Sequence, residues 1–259
     1  MIYNYQKTSQ HWREKKMKRF LMCIGLTALT LQGFSQKKQP FVFADIASVT
    51  VDATHTEWDT LYAATPEGLW FYNIAQDPNN VYVAVRIDDP ILQSLATRNG
   101  ILVSFLSTKK KKRDSKLIFP YPDREVKRAI QHEDFDPAKD YRTELISRSR
   151  GYFVDGFPSV LDGLLSFQNQ YGIIVKAHAA KDNVLYEAVI PKSLLETRNG
   201  TIAIKLAVND GLTALLSSTN TRNRPSAYSP YARGPYMQRS PAKQRSKTSL
   251  EVVLEGTLK

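Results

Sequence analysis

Asp88 and Asp89 close one strand-like run, Val81–Ile87, and Asn209 and Asp210 close another, Thr201–Val208. Carboxylate and amide oxygens are hard donors, the kind that hold calcium. These four match no compact calcium loop, and turn capping is the alternative use of the same side chains. His55, His132 and His178 are far apart in the chain and lack zinc-ligand spacing. Glu133, Asp134, Asp136 and Asp140 cluster in a polar stretch. Glycoside hydrolysis needs two carboxylates about 5 to 9.5 Å apart across a cleft, and closeness along a loop does not supply that. The chain has no Gly-x-Ser-x-Gly elbow, no glycine-rich phosphate loop and no His-Glu-x-x-His. No catalytic residue is assigned.

The elements that must position these donors read as β. Gly68–Ala75 and Val81–Ile87, the second rich in β-branched and aromatic residues, flank the turn cluster Gln76–Asn80 as a hairpin. Tyr171–Ala177 and Val184–Ile190 flank Lys181-Asp182-Asn183 in the same way. Phe41–Ile46, Ser48–Asp52, Ile101–Leu106, Thr201–Val208 and Ser249–Leu258 complete a set of mostly antiparallel runs. Helical pattern is confined to Pro90–Thr97, Arg124–Glu133 and Lys139–Ser147. Such a balance predicts an all-β, antiparallel β-sandwich rather than an α/β fold. Thr-Arg-Asn-Gly occurs at 97–100 and again at 197–200. Duplication is one explanation; the other is that Asn-Gly suits any place where φ must turn positive before a strand.

Two segments depart from this pattern. A polar insertion runs from Lys109 to about Gln170 and opens with Lys109–Arg113, four lysines and an arginine. A long basic loop, Thr213–Thr248, precedes the last strand and carries Arg222, Arg224, Arg233, Arg239, Lys243, Arg245 and Lys247. Both would attract polyanions.

The chain has 259 residues, 42% hydrophobic and 10% aromatic, with a formal charge of +11. That composition builds a globular core, and a mean hydropathy of −0.37 argues against many membrane spans. Met17-Lys18-Arg19 leads into the apolar run Phe20–Leu31 and then Gly33-Phe34-Ser35. The run is too short to span a bilayer, which takes about 20 residues. It has the form of a secretory signal. The expected organisation is therefore an over-extended start at 1–16, a signal peptide at 17–35 and a single domain at 36–259, exported to the periplasm or cell surface. Removing six basic residues and one acidic one lowers the charge from +11 to +6. It also removes Cys23, the only cysteine, which suits an oxidising compartment.

Several stretches together resemble a family. Val51-Asp52-Ala53, Glu57-Trp58-Asp59 and the run Val81–Pro90 resemble the opening of the family 9 carbohydrate-binding-module-like (DOMON-like) domains. Leu185–Pro191, Ala207–Asp210 and the closing Gly256-Thr257-Leu258 are similar to that family's later strands, in the same order. The resemblance covers about residues 40–259. It implies a jelly-roll sandwich, exported and non-catalytic, with a carbohydrate ligand and in some members a structural calcium. Carried onto this chain, the calcium donors are Asp88, Asp89, Asn209 and Asp210.

A sugar's C–H face packs on aromatic rings. The candidates are Trp70, which opens a strand and for which a core position is the favoured alternative, and Tyr228, Tyr231 and Tyr236 in the basic loop. Trp58 is expected in the core. A protein–protein or assembly module of the envelope, on the same fold without a sugar site, is the alternative; a glycan-active enzyme is the third. Anionic glycan is the expected partner of the basic loops, whereas nucleic acid is not expected of an exported chain. No transmembrane segment is expected in the mature chain.

Overall fold

The computed structural model describes residues 38–47, 49–54, 56–58, 62–107, 112–132, 140–209 and 250–259. The expected start and signal segments lie outside them, as does the basic loop.

Two short strands come first, β1 (Gln39–Pro40) and β2 (Ala44–Asp45), followed by β3 (Ala63–Ala64). A hairpin follows, β4 (Trp70–Gln76) and β5 (Asn80–Ile87). Its turn is fixed by Asp77, whose carboxylate accepts from the Asn79 and Asn80 N–H groups and from the Tyr82 hydroxyl. Next come helix α1 (Pro90–Asn99), β6 (Ile101–Leu106) and β7 (Ser115–Phe119). Helices α2 (Arg124–His132) and α3 (Arg142–Ser147) precede β8 (Gly151–Asp155) and β9 (Gly163–Ser166). A second hairpin, β10 (Ile174–Ala179) and β11 (Val184–Pro191), leads to β12 (Thr201–Val208) and β13 (Glu251–Thr257).

These strands form two sheets. One runs β1-β13-β12-β6-β7-β8-β9, the other β10-β11-β5-β4-β2, with β3 also on β4. Alternation along each strand turns one set of side chains inward. Trp70, Tyr72 and Ile74 of β4, Val81, Val83 and Val85 of β5, and Tyr186, Ala188 and Ile190 of β11 meet Ile101, Val103 and Phe105 of β6 and Ile202, Ile204 and Leu206 of β12 in one core. This is the all-β sandwich that the pattern predicts. All pairs are antiparallel except β1 with β13 and β2 with β4, which are parallel. The outer face of the second sheet is covered by Ala44, Ile46, Val49, Val51, Trp58 and Tyr62, with Trp58 in one cluster with Ala75, Tyr82, Ala84 and Val189.

The expected insertion needs correcting. It is not wholly a departure from the sheet, because β7 near its start and β8 and β9 near its end make three of the first sheet's seven strands. Of Ser48–Asp52, expected as a strand, Ser48 lies outside the described residues, and 49–52 form no strand but pack on the second sheet through Val49 and Val51.

The two Thr-Arg-Asn-Gly copies do different work. In the first, Gly100 ends α1 at φ +91°, with its N–H donating to the Ala96 carbonyl. In the second, Asn199 and Gly200 take φ +54° and +74° between reciprocal Arg198–Thr201 hydrogen bonds, a two-residue hairpin turn. A Cβ on Gly100 would lie 2.5 Å from Ile118 Cγ2 and 2.7 Å from the Pro120 carbonyl. Gly100→Ala is expected to cost about 2 kcal/mol in urea unfolding. Gly68→Ala should cost less, since its φ is also positive but no atom lies within 4 Å of the added carbon.

Candidate functional site

Helix α3 stands between two depressions. On one side a groove of about 440 Å³ follows β10. Ile174, Lys176 and His178 project from one face of that strand and Val175 and Ala177 from the other, and all five line the groove. It therefore wraps β10, which among the described residues is the edge strand of the second sheet.

Across from β10 stand two rings. Phe119 ends β7 and is buried; Phe167, one residue past β9, keeps 44% of its surface exposed. They meet edge to face with centroids 5.7 Å apart. Tyr152 backs Phe167 at 6.2 Å. The Tyr152 hydroxyl donates to the Ile173 carbonyl at 2.7 Å and accepts from Asn169 Nδ2 at 2.6 Å, which fixes the ring. Asp52, Lys176 and His178 supply the polar rim.

Asp52 is placed from beneath. Glu187 points out of β11 under the covering segment, where its Oε2 accepts from the Asp52 and Ala53 N–H groups, both at 2.8 Å. Burial pushes the Glu187 carboxyl above the usual carboxylate range; the nearby Asp52 and Glu57 carboxylates add to this, and the two N–H bonds only partly offset it. Ala53 sits at φ +63°, so the carboxylate holds a turn that a non-glycine residue resists.

On the other side of α3 a polar cleft of about 690 Å³ lies between α1, α2, α3 and the β10–β11 turn. Arg142 is its centre. The guanidinium donates through Nε and Nη2 to both oxygens of Asp140, at 2.9 and 2.7 Å, and also to Gln93 Oε1 and the Lys181 carbonyl. Gln93 is buried and donates through Nε2 to the carbonyls of Asp88 and Asp182. One network thus ties α1, α3 and the β10–β11 turn together. The hydrogen bonds from Arg142 hold the Asp140 carboxyl below its usual range.

The sequence-expected site residues do not gather here. Trp70 is fully buried, its ring 5.8 Å from Tyr72 in the sandwich core, so it turns no face to a ligand. Period-two alternation places it on the same side as Tyr72 and Ile74. Asp89 caps the start of α1 by accepting from the Leu92 N–H, while Asn209 donates to the Asn99 carbonyl at the other end. Ten helical residues put those ends about 15 Å apart, so Asp88, Asp89 and Asn209 cannot converge on one ion. Asp88 lies 3.3 Å from Arg86 and lines the polar cleft. Among the described residues no group of three His, Cys, Asp or Glu side chains could hold a metal.

Asp210, Tyr228, Tyr231 and Tyr236 lie outside the described residues. So do Lys109–Lys111 of the basic run; Lys112 pairs with Glu196, and Arg113 with Asp155 and Asp162. Of the acidic cluster only Asp140 is described.

No protein-family model matches the chain. No curated protein sequence matches it. Among solved structures, it is similar to a carbohydrate-binding module of family 9 from Caldicellulosiruptor kristjanssonii, in complex with glucose. That likeness has a TM-score of 0.37 and 14% identity over 65% of this chain and 77% of that one. No helix among the described residues is long and apolar enough to cross a membrane.

Sequence reasoning missed Phe167 and Ile174, the two exposed apolar side chains of the groove. The available signal was an aromatic residue inside a polar run, Ser166-Phe167-Gln168-Asn169. Such a residue is not needed for helix or strand patterning and so is free to serve a surface.

Proposed function

We propose that the chain is an exported, non-catalytic module that binds carbohydrate in the groove along β10. The observation that supports this is the half-exposed Phe167 ring, held in place by Phe119 and Tyr152 and faced by hydrogen-bonding side chains. A pyranose presents an apolar C–H face and a hydroxyl edge, and a ring beside Asp52, Lys176 and His178 offers partners for both. The volume falls within the usual range of small-ligand sites. Export rests on the basic-then-apolar run at 17–35.

The test is thermal and chemical unfolding of the full chain with neutral and acidic oligosaccharides. A sugar at a hundred times its dissociation constant should stabilise the fold by about 2.7 kcal/mol. Phe167→Ala should abolish that gain and itself cost about 1 kcal/mol, since the ring is only partly buried. A panel in which no sugar stabilises the chain, or in which Phe167→Ala responds as the parent does, would overturn the reading.

One observation favours a second reading. Among the described residues the strand in the groove, β10, is an edge strand, and an edge strand can take an extended peptide by strand addition. Stabilisation by peptides alone would move the assignment to protein docking in the envelope.

A further inference from the structure

Thr-Arg-Asn-Gly stands twice in the chain, and the fold treats the Asn–Gly peptide bond differently in the two copies. Asparagine is a thermally labile side chain. Its amide carbon, Cγ, can be attacked by the backbone nitrogen of the next residue, and glycine there has no side chain to block the approach. The attack needs a backbone nitrogen that is not held elsewhere and an Asn ψ that carries it towards Cγ.

In the first copy the peptide is held at both ends. The Gly100 N–H donates to the Ala96 carbonyl at 2.8 Å. The Asn99 carbonyl accepts from Asn209 Nδ2 at 3.1 Å. Turning this peptide breaks both bonds, and Asn99 is the last residue of α1, so the helix end must open as well.

In the second copy the peptide is held at neither end. Arg198 and Thr201 exchange hydrogen bonds of 3.1 and 3.0 Å, and the Leu258 N–H donates to the Gly200 carbonyl at 2.7 Å. None of these bonds uses the Asn199 carbonyl or the Gly200 N–H. Neither group has a backbone partner among the described residues, and Asn199 is exposed. The φ values of +54° and +74° are those of a type I′ turn. A type II′ turn keeps the first φ at about +60° and differs by a flip of the central peptide, which takes the first ψ from about +30° to about −120°. The second φ changes sign in that flip, and glycine accepts either sign. The 199–200 peptide can therefore flip with all three hydrogen bonds in place. At the flipped ψ the Gly200 nitrogen lies over Cβ of Asn199, within reach of Cγ.

We propose that Asn199 is a site of spontaneous deamidation and isoaspartate formation, and that the fold protects Asn99. The Gly200 nitrogen bonds to Asn199 Cγ as the Cγ–Nδ2 bond breaks. The side-chain nitrogen leaves as ammonia, taking the Gly200 amide proton, and a five-membered imide remains. Water then opens the imide. Cleavage of the N–Cγ bond leaves aspartate at position 199. Cleavage of the bond between that nitrogen and the main-chain carbonyl carbon leaves isoaspartate, whose main chain runs through Cβ and Cγ. Either product sets a carboxylate beside Arg198, in a depression of about 590 Å³ that Lys38, Thr201 and Glu255 also line. Isoaspartate also lengthens a turn that the Arg198–Thr201 bonds close over two residues.

The experiment is ageing of the full chain in mildly alkaline buffer, below its unfolding temperature. Peptide mapping with electron-transfer fragmentation then separates asparagine, aspartate and isoaspartate at each copy. The same chain aged in urea is the reference. There the two copies should convert at similar rates, because the tetrapeptides are the same. In the folded chain Asn199 should convert about tenfold faster than Asn99 or more, since Asn99 reacts only through local unfolding. Asn199→Gln should remove the product at 199 and leave Asn99 as it is in the parent. Equal conversion of the two copies in the folded chain, or conversion of Asn199 in urea alone, would overturn the proposal.

Discussion

Trp70→Ala is expected to lower the unfolding free energy by about 3 to 5 kcal/mol, the cost of deleting a large buried aromatic side chain. Trp70 is fully buried, contacts the Tyr72 ring at 5.8 Å and stands opposite Ile87 in the β4–β5 ladder. Its removal leaves a cavity that β strands, pinned by their hydrogen bonds, cannot collapse into. The midpoint of urea unfolding should fall steeply. The fraction that remains folded should still respond to whatever ligand occupies the Phe167 groove. Loss of ligand response with little loss of stability would mean that Trp70 faces a ligand after all, contrary to its placement in the core.

Glu187 carries the second large effect. Glu187→Ala removes the acceptor for two backbone N–H groups, Asp52 and Ala53, in a turn where Asp52 Oδ1 itself accepts from the Thr54 N–H and hydroxyl. Leaving buried donors unpaired costs about 1 to 3 kcal/mol each, so a loss of about 3 kcal/mol is expected. Glu187→Gln keeps an acceptor oxygen of the same shape and should be far milder.

The pH dependence separates the two roles of the carboxyl. Burial raises its pKa in the folded state above the unfolded value near 4.5. The folded state therefore binds the proton more tightly. The stability from this group is fully present below pH 4.5 and is lost as pH rises through the folded value. In unfolding series between pH 4.5 and 8, the parent chain should lose stability relative to Glu187→Gln as pH rises. Parallel curves would show that Glu187 has an ordinary pKa. Asp77 does not confuse the comparison. Slight burial pushes its carboxyl up, but the hydrogen bonds from Tyr82, Asn80 and Asn79 outweigh this and take it down to about 2, so its own contribution is lost only as pH falls below 3.8.

The hairpins were legible because β-branched and aromatic runs and turn chemistry agree there. Asp77 and Asn80 mark the first turn, and the flanking valines and tyrosines leave little choice of face. Helix α1 was legible from Asp89-Pro90, a cap followed by a proline at the first helical position. Strands β7, β8 and β9 were not. Each is four or five residues long and set among lysines, arginines and acids, so local composition reads polar while the buried Leu117, Phe119, Tyr152 and Val154 form the sheet. The site was less legible than the fold. Residue type pointed to tryptophan, but alternation puts Trp70 on the core face with Tyr72. The four oxygen donors sit next to strand ends in the sequence, yet the whole of α1 separates Asp89 from Asn209.

The short strands β1 and β2 are the outermost strands of the two sheets, both on the same flank of the sandwich. One is two residues long and half proline, which has no N–H to offer; the other ends on Asp45, paired with Lys259. That flank is a poor template for another chain. Among the described residues the opposite flank ends in β9 and β10, and β10 there faces α3, Phe119 and Phe167 across the groove. Contact between copies of this protein through sheet edges is therefore expected at β9 rather than at the β1–β2 flank.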